Sequence, residues 1–184
     1  MHGDAGDDLM YGDGGSDIMC GDDGNDTMYG DRDDNQDVSV GANGQQECMS
    51  GGNGDDLLYG NEGQDTLNGD DGSDTLYGGT DNDILNGGSG DDWLFGGAGE
   101  DTLIGGTGSD RFVLDSNSGI DTVLNFEVGI DKFALAGGLS FAQLQINSTA
   151  NGSVLQIAST GQVVANIFGA SNAITALDFV TFSQ

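Results

Sequence analysis

One short period constrains this chain more than any other feature. Gly87-Gly88-Ser89-Gly90-Asp91-Asp92-Trp93-Leu94-Phe95 is followed at once by Gly96-Gly97-Ala98-Gly99-Glu100-Asp101-Thr102-Leu103-Ile104. Both read Gly-Gly-x-Gly-x-Asp-x-apolar-x. A fixed period of this kind means stacked equal units, none of which buries a core alone. With Gly as position 1, ten regular units begin at Gly3, Gly12, Gly21, Gly51, Gly60, Gly69, Gly78, Gly87, Gly96 and Gly105. Position 6 is always Asp: Asp8, Asp17, Asp26, Asp56, Asp65, Asp74, Asp83, Asp92, Asp101 and Asp110. Position 4 is Gly in every unit but one, where Asp81 stands. Position 8 is Met10, Met19, Met28, Leu58, Leu67, Leu76, Leu85, Leu94, Leu103 and Phe112.

The spacing dictates local structure. Glycines at positions 1 and 4 admit positive φ and close approach of backbone to an ion. Positions 7 to 9 are too short for a helix and rich in Thr, Leu, Ile and Tyr, which suits a brief strand. Side chains alternate along a strand, so position 8 faces inward while positions 7 and 9 face outward. The expected fold is all-β: a parallel β-roll (β-solenoid) with two units per coil, one for each facing sheet. Unit n then stacks on unit n+2 at the strand spacing of about 4.8 Å.

Charge sharpens this reading. The chain has 184 residues, with 32 acidic residues against three basic ones, a formal charge of -29, 35 glycines and no proline. Such a composition ordinarily belongs to a solvated, disordered tail. The strict period and the apolar position 8 argue instead for a fold that needs counter-ions. Stacking brings position-6 carboxylates of units n and n+2 together, where they repel unless a cation intervenes. Calcium takes six to eight oxygens and suits carboxylates with loop carbonyls, whereas magnesium demands tighter octahedral geometry. Zinc prefers His or Cys, and only His2, Cys20 and Cys48 exist. Nucleic acid is excluded as a partner, since no basic patch is present to neutralise phosphates.

Residues 3–113 resemble the RTX (repeats-in-toxin) parallel β-roll of proteins exported by Gram-negative type I systems. The resemblance implies several Ca2+ ions between successive coils, held by position-6 aspartates of two loops and by loop carbonyls. The implied pairs are Asp8 with Asp26, Asp56 with Asp74, Asp65 with Asp83, Asp74 with Asp92, Asp83 with Asp101, and Asp92 with Asp110. The implied carbonyl loops carry Gly6, Gly15, Gly24, Gly52, Gly54, Gly63 and Gly72 in the first part of the chain. Gly79, Gly88, Gly90, Gly97, Gly99, Gly106 and Gly108 follow.

Two stretches depart from the period. Residues 30–50 open like an EF-hand loop at Asp31 but lack its Gly (Gln36 instead) and its closing Glu (Ala42 instead). Two stretched repeats fit better, with Asp37 and Glu47 as loop acids and a bulged, calcium-poor turn. A calcium site pairing Asp17 with Asp37 is doubtful for the same reason. Residues 114–134 keep Gly-x-Asp-x-apolar at Gly119-Ile120-Asp121 and Gly129-Ile130-Asp131. They read as two last coils, with Asp121 and Asp131 as further ligand candidates. This segment also resembles the region that ends the roll in serralysin-type proteases.

Composition then shifts: 31 of the 32 acids precede residue 135, and only Asp178 follows. The expected organisation is a calcium-binding roll over 1–134 and a small antiparallel β cap over 135–184. Gln143–Asn147, Val154–Ala158 and Val163–Phe168 alternate as a meander with a turn at Asn151-Gly152. Ser171 or Asn172 is placed to cap a short helical turn near Ala173–Leu177. The ending Asp178-Phe179-Val180-Thr181-Phe182-Ser183-Gln184 is similar to uncleaved type I secretion signals, and an ordinary closing strand accounts for it nearly as well. Cys20 and Cys48 are expected to be free thiols on opposite sheets, beyond the roughly 7 Å Cα reach of a disulfide.

His-Glu-x-x-His, Gly-x-Ser-x-Gly and the phosphate-binding Gly-x-x-x-x-Gly-Lys are all missing, so no catalytic residue or organic cofactor is assigned and the chain is not expected to be an enzyme. No apolar run reaches membrane-spanning length, and Met1-His2 does not resemble a signal peptide. A chain that opens directly on a repeat is expected to be part of something larger. The leading reading is a secreted, extracellular module that folds on meeting Ca2+ and serves type I secretion and folding of an upstream parent. The alternatives are an adhesin or surface-layer module, or the non-catalytic end of a protease, lipase or haemolysin. An ice-binding variant would use outward Thr66 and Thr102, but Ile84 interrupts them. The other outward face reads Tyr59, Tyr77, Phe95 and Val113 with Leu57 and Trp93, an aromatic stripe suited to self-association or to cover by the cap.

Overall fold

A computed structural model describes residues 1–12, 15–30, 46–149, 151–169 and 173–182, and they wind into one parallel roll with two facing sheets. Strands, numbered in chain order, alternate between the sheets. The first sheet takes β1 (Leu9–Tyr11), β3 (Thr27–Tyr29), β5 (Leu57–Glu62), β7 (Thr75–Thr80), β9 (Trp93–Ala98), β11 (Arg111–Leu114), β13 (Lys132–Leu135) and β17 (Phe179–Thr181), in that spatial order. The second runs β2 (Ile18–Asp23), β4 (Cys48–Asn53), β6 (Thr66–Asp71), β8 (Ile84–Ser89), β10 (Thr102–Thr107) and β12 (Asp121–Leu124). It continues into β16 (Val163–Phe168), β15 (Gly152–Ile157) and β14 (Leu144–Thr149).

The register bears out stacking of unit n on unit n+2: Leu58 pairs with Leu76, and Leu67 with Leu85, each 18 residues apart in the chain. Position 8 is the interior. From Met10 to Phe112 the whole column is 5% exposed or less, and it continues as Val123 and Phe133. Strands are longer than the three residues expected, running from position 7 into position 3 of the next unit, as β5 does from Leu57 to Glu62.

The glycines divide labour differently from expectation. Positive φ falls at positions 2 and 4, as in Gly52 (φ 108°) and Gly54 (φ 133°), while position 1 does not adopt it. Position 1 is Gly for want of space. A methyl group on Gly69 would stand 2.1 Å from Asp74 Oδ2 and 2.5 Å from the Gly87 carbonyl. Asp4, Asp22, Asn61 and Asp70 take the left-handed conformation at position 2 where glycine is absent; Asp and Asn bear this better than other side chains.

Among the described residues the irregular stretch supplies one unit where two were expected. β4 pairs with β2 and β6, and Gly30 lies against Glu47 as position 1 lies against position 6 elsewhere. The chain interval between stacked coils widens there from 18 to 30 residues. Asp37 lies outside the described residues, and the residue stacked on Asp17 is Glu47, through Cys48 N–H donating to the Asp17 carbonyl at 2.9 Å. With one unit fewer, Cys20 and Cys48 fall on neighbouring strands of the same sheet, not on opposite sheets. Both are free, because the register sets Cys20 beside Ser50 and Cys48 beside Ile18.

The C-terminal strands extend the roll. β14, β15 and β16 form the antiparallel meander, but β16 joins β12 in parallel and β17 joins β13 in parallel. The interior widens here into an aromatic cluster: Phe126 stacks on Phe133 at 4.3 Å, with Phe112, Phe179 and Phe141 around them. The short helical turn is Ala176–Asp178, with Thr175 as its cap. Ser171 and Asn172 lie outside the described residues.

On the outer face of the first sheet, Tyr11, Tyr29, Tyr59, Tyr77 and Phe95 stack ring on ring at 4.4–5.1 Å, the coil spacing itself. The cap reaches this stripe through Phe182, whose ring lies 5.6 Å from both Trp93 and Phe95.

Candidate metal centre

Each position-6 aspartate sits on the last inward position before a strand, so the roll stacks the ten with Asp121 and Asp131 into two columns. One column holds Asp8, Asp26, Asp56, Asp74, Asp92, Asp110 and Asp131. The other holds Asp17, Glu47, Asp65, Asp83, Asp101 and Asp121. All six pairs expected from the sequence are neighbours. The structure adds Asp26 with Asp56, Asp101 with Asp121, and Asp110 with Asp131.

One contact repeats along both columns. From Asp8 to Asp110 in one column and from Glu47 to Asp101 in the other, the backbone N–H of each acid donates to Oδ1 of the next, as Asp56 does to Asp74, Asp65 to Asp83 and Asp74 to Asp92, all at 2.8 Å. The second oxygen behaves otherwise. Oδ2 of Asp8, Asp17, Asp26, Asp56, Asp65, Asp74, Asp83, Asp92 and Asp101 is buried and has no hydrogen-bond partner among the described residues. A buried polar atom without a partner is costly, and a buried charge more so. Here the defect recurs in coil after coil, in the regular ladder that a cation between the coils would satisfy.

Carbonyls approach the same place. Position-1 glycines set the next coil's carbonyl beside their own unit's Oδ2, and position-4 glycines rest directly on the preceding coil. A methyl group on Gly72 or Gly90 would lie 1.8 Å from the carbonyl of Gly54 or Gly72. Gly6, Gly15, Gly24, Gly63, Gly79, Gly88, Gly97, Gly99, Gly106 and Gly108 hold the same positive-φ loop conformation as Gly52 and Gly54. Among the described residues no three His, Cys, Asp or Glu side chains converge as a metal group. A cation held here therefore meets two carboxylates at most and must draw its other ligands from carbonyls. That oxygen-only donor set fits Ca2+.

Burial sets the electrostatics. It pushes Asp83 up to about 8, with the Asp65 and Asp101 carboxylates adding to it. Asp74, Asp110 and Asp121 rise to about 7, and Asp56 and Asp92 to about 6, with burial the largest cause throughout. Asp65, Asp101 and Asp131 are raised for the same reason. Asp178 is the exception. Burial raises it, but hydrogen bonds from Thr175 and Gly129 outweigh burial and hold it below the usual carboxylate range.

Two features escaped sequence reasoning. The steric role of position 1 was legible only as its constancy across ten units. Glu47 was expected as a loop acid, but its stacking on Asp17 was hidden by the long interval before it.

The family described as RTX calcium-binding nonapeptide repeat (4 copies) matches residues 2–36, 50–85 and 77–112. No curated protein matches the chain. Among solved structures, it is similar to the AlgE6R3 subunit of the mannuronan C5-epimerase of Azotobacter vinelandii. That match is 24% identical, covers 82% of this chain and 86% of that one, and has a TM-score of 0.42. It is also similar to the extracellular lipase LipA of Serratia marcescens, at 16% identity and a TM-score of 0.41. It covers 95% of this chain but only 38% of the lipase.

Proposed function

The chain belongs to the RTX calcium-binding nonapeptide-repeat family, and from that premise we propose that it is a non-catalytic module that folds on extracellular Ca2+ and serves secretion and folding of a larger protein. The observation that carries this is the pair of columns of buried, unpartnered Oδ2 atoms. The proposed ligands are Asp8, Asp17, Asp26, Asp56, Asp65, Asp74, Asp83, Asp92, Asp101, Asp110 and Asp121, completed by carbonyls of the glycine loops. Bound calcium supplies the charge neutralisation and oxygen coordination that these carboxylates lack.

The chain's own residues do the rest. Unneutralised, the stacked carboxylates repel and hold the coils apart, so the chain stays unfolded where free calcium is scarce. Extracellular modules bind at about 10⁻⁴–10⁻³ M, which matches folding outside the cell after passage through a type I exporter as an extended chain. An ion that binds only the folded state stabilises it by mass action. Residues 1–134 form the roll in this reading, and residues 135–184 close its end and carry the export signal.

A second reading concerns partners. Positions 7 and 9 of the first sheet carry no acid from Leu9 to Ala134, on a chain of charge -29. That acid-free aromatic face is where an upstream domain or a second copy meets least repulsion, in an adhesin-like assembly or beside a parent enzyme. Among the described residues no helix is long and apolar enough to cross a membrane.

Titration tests the main proposal. Metal-free protein should show a disordered circular-dichroism spectrum that converts cooperatively to a β spectrum on adding Ca2+, with Mg2+ far weaker. A full β spectrum in excess chelator at pH 8 overturns it.

A further inference from the structure

The last Gly-x-Asp of the roll, Gly129-Ile130-Asp131, is spelled like a ligand loop but built differently. From Asp26 to Asp101 in the regular coils Oδ1 accepts one amide and the buried Oδ2 has no partner among the described residues. In Asp131 both oxygens are used. Oδ1 accepts from Asp110 N–H at 3.1 Å, and Oδ2 accepts from Glu127 N–H at 2.7 Å. The latter bond closes the carboxylate over its own turn, where Ile130 and Asp131 N–H both donate to the Glu127 carbonyl.

The carbonyl half of the site is missing as well. Position-4 glycines of the preceding coils rest on the coil before: methyl groups on Gly108 and Gly119 would lie 1.8 Å from the carbonyls of Gly90 and Gly99. A methyl group on Gly129 would meet nothing within 4 Å. The loop has left the stack that converges carbonyls on the aspartates. What occupies the turn is Asp178. Its Oδ1 accepts from Gly129 N–H at 2.9 Å, and its Oδ2 from Thr175 N–H at 2.7 Å and Thr175 Oγ1 at 3.1 Å.

We infer that Asp131 and Asp178 are structural carboxylates held by amides and not cation ligands, so that the ligand columns end at Asp110 on one edge and Asp121 on the other. The inference rests on the calcium reading of the columns. Amide bonds fix both carboxylates at this end in place of a cation, outweighing burial at Asp178 and offsetting part of it at Asp131. The last coil and the cap are thereby joined without an ion: Asp131 ties β13 to β11, and Asp178 ties the turn before β17 to the turn before β13.

The test counts calcium ions bound at saturation by the full chain, using isothermal titration and native mass spectrometry, in Asp131→Asn, Asp178→Asn and Asp92→Asn. Asp131→Asn and Asp178→Asn should bind the wild-type number while melting at a lower temperature in saturating calcium. Asp92→Asn should bind at least one ion fewer. A lost ion in Asp131→Asn overturns the inference. A full complement in Asp92→Asn overturns the calcium reading of the column and this inference with it. Sucrose favours compact states and allows the count where a variant is too weak to fold in calcium alone. The wild-type chain gives a check that needs no variant. Scalar coupling across the hydrogen bond from the Glu127 amide to the Asp131 carboxylate should persist in saturating calcium, and its absence there overturns the inference.

Discussion

A carboxylate that has left water and found one amide is only half satisfied, and the residue-scale behaviour of this protein follows from that. Asp83 lies between Asp65 and Asp101, whereas Asp8 has a single neighbour, Asp26. Asp83→Ala therefore removes a carboxylate shared by two sites and strands the Asp65 amide, a cost of about 1–3 kcal/mol on its own. Its calcium midpoint should rise well above that of Asp8→Ala, and equal midpoints would argue against sharing. Protons compete for the same oxygens. With folded values of about 6 to 8 against an unfolded value of about 3.9, the metal-free roll prefers these aspartates neutral. That contribution is fully present below the unfolded value and is lost as pH rises through about 6 to 8. Calcium-free protein should gain β signal as pH falls from 8 to 5, and the calcium midpoint should climb over the same range. A calcium-free spectrum that does not change with pH would sink this. The glycines show how far residues can be read alone. Position 4 follows from φ preference, but position 1 depends on an oxygen delivered by a residue 18 places further on, as Gly87 does to Gly69.

At the scale of elements, the nine-residue spacing made the two sheets, the inward column and the n to n+2 register legible, because alternation along a strand converts spacing directly into facing. Where spacing broke, legibility broke. Nothing in the letters of residues 30–50 says that Glu47 answers Gly30, and the miscounted unit sent Cys48 to the wrong sheet. Asp131 is the opposite case: its letters match the motif, and only the turn at Glu127 sets its chemistry. The cap's strands were legible from alternation, but their joining to β12 and β13 was not, since pairing between strands far apart in the chain leaves no local mark. The closing strand offers a measurable contact. Phe182 rests on Trp93 and Phe95, the former also under the Arg111 guanidinium at 5.1 Å. Aromatic pairs contribute about 0.5–1.5 kcal/mol each. Phe182→Ala should lower stability in calcium by roughly 1–2 kcal/mol, and emission from the single tryptophan should shift to the red. Unchanged emission would mean that β17 does not hold Phe182 there.

Across the whole molecule, two explanations of calcium dependence compete, and they differ in what ordinary salt can do. If the charge of -29 acted only as a repulsive cloud, screening would be enough. At 1 M salt the Debye length is about 3 Å, shorter than the spacing between coils, and sodium chloride would fold the chain as well as calcium does. The columns predict otherwise. Each regular coil buries a carboxylate oxygen with no donor, and screening by mobile ions does not coordinate an atom from which solvent is excluded. Calcium-free protein in 1 M sodium chloride should therefore contract without folding. Its radius of gyration should fall from about 46 Å, the value for an unfolded chain of this length, yet stay above the about 16 Å of a compact globule, with no β spectrum. Millimolar calcium added to the same solution should then bring the β spectrum in a cooperative step, because coils that touch only their neighbours gain stability together as each interface closes. Small-angle scattering and circular dichroism on one sample separate the outcomes. A β spectrum in sodium chloride alone would assign the calcium dependence to net charge and remove the ligand columns from the explanation.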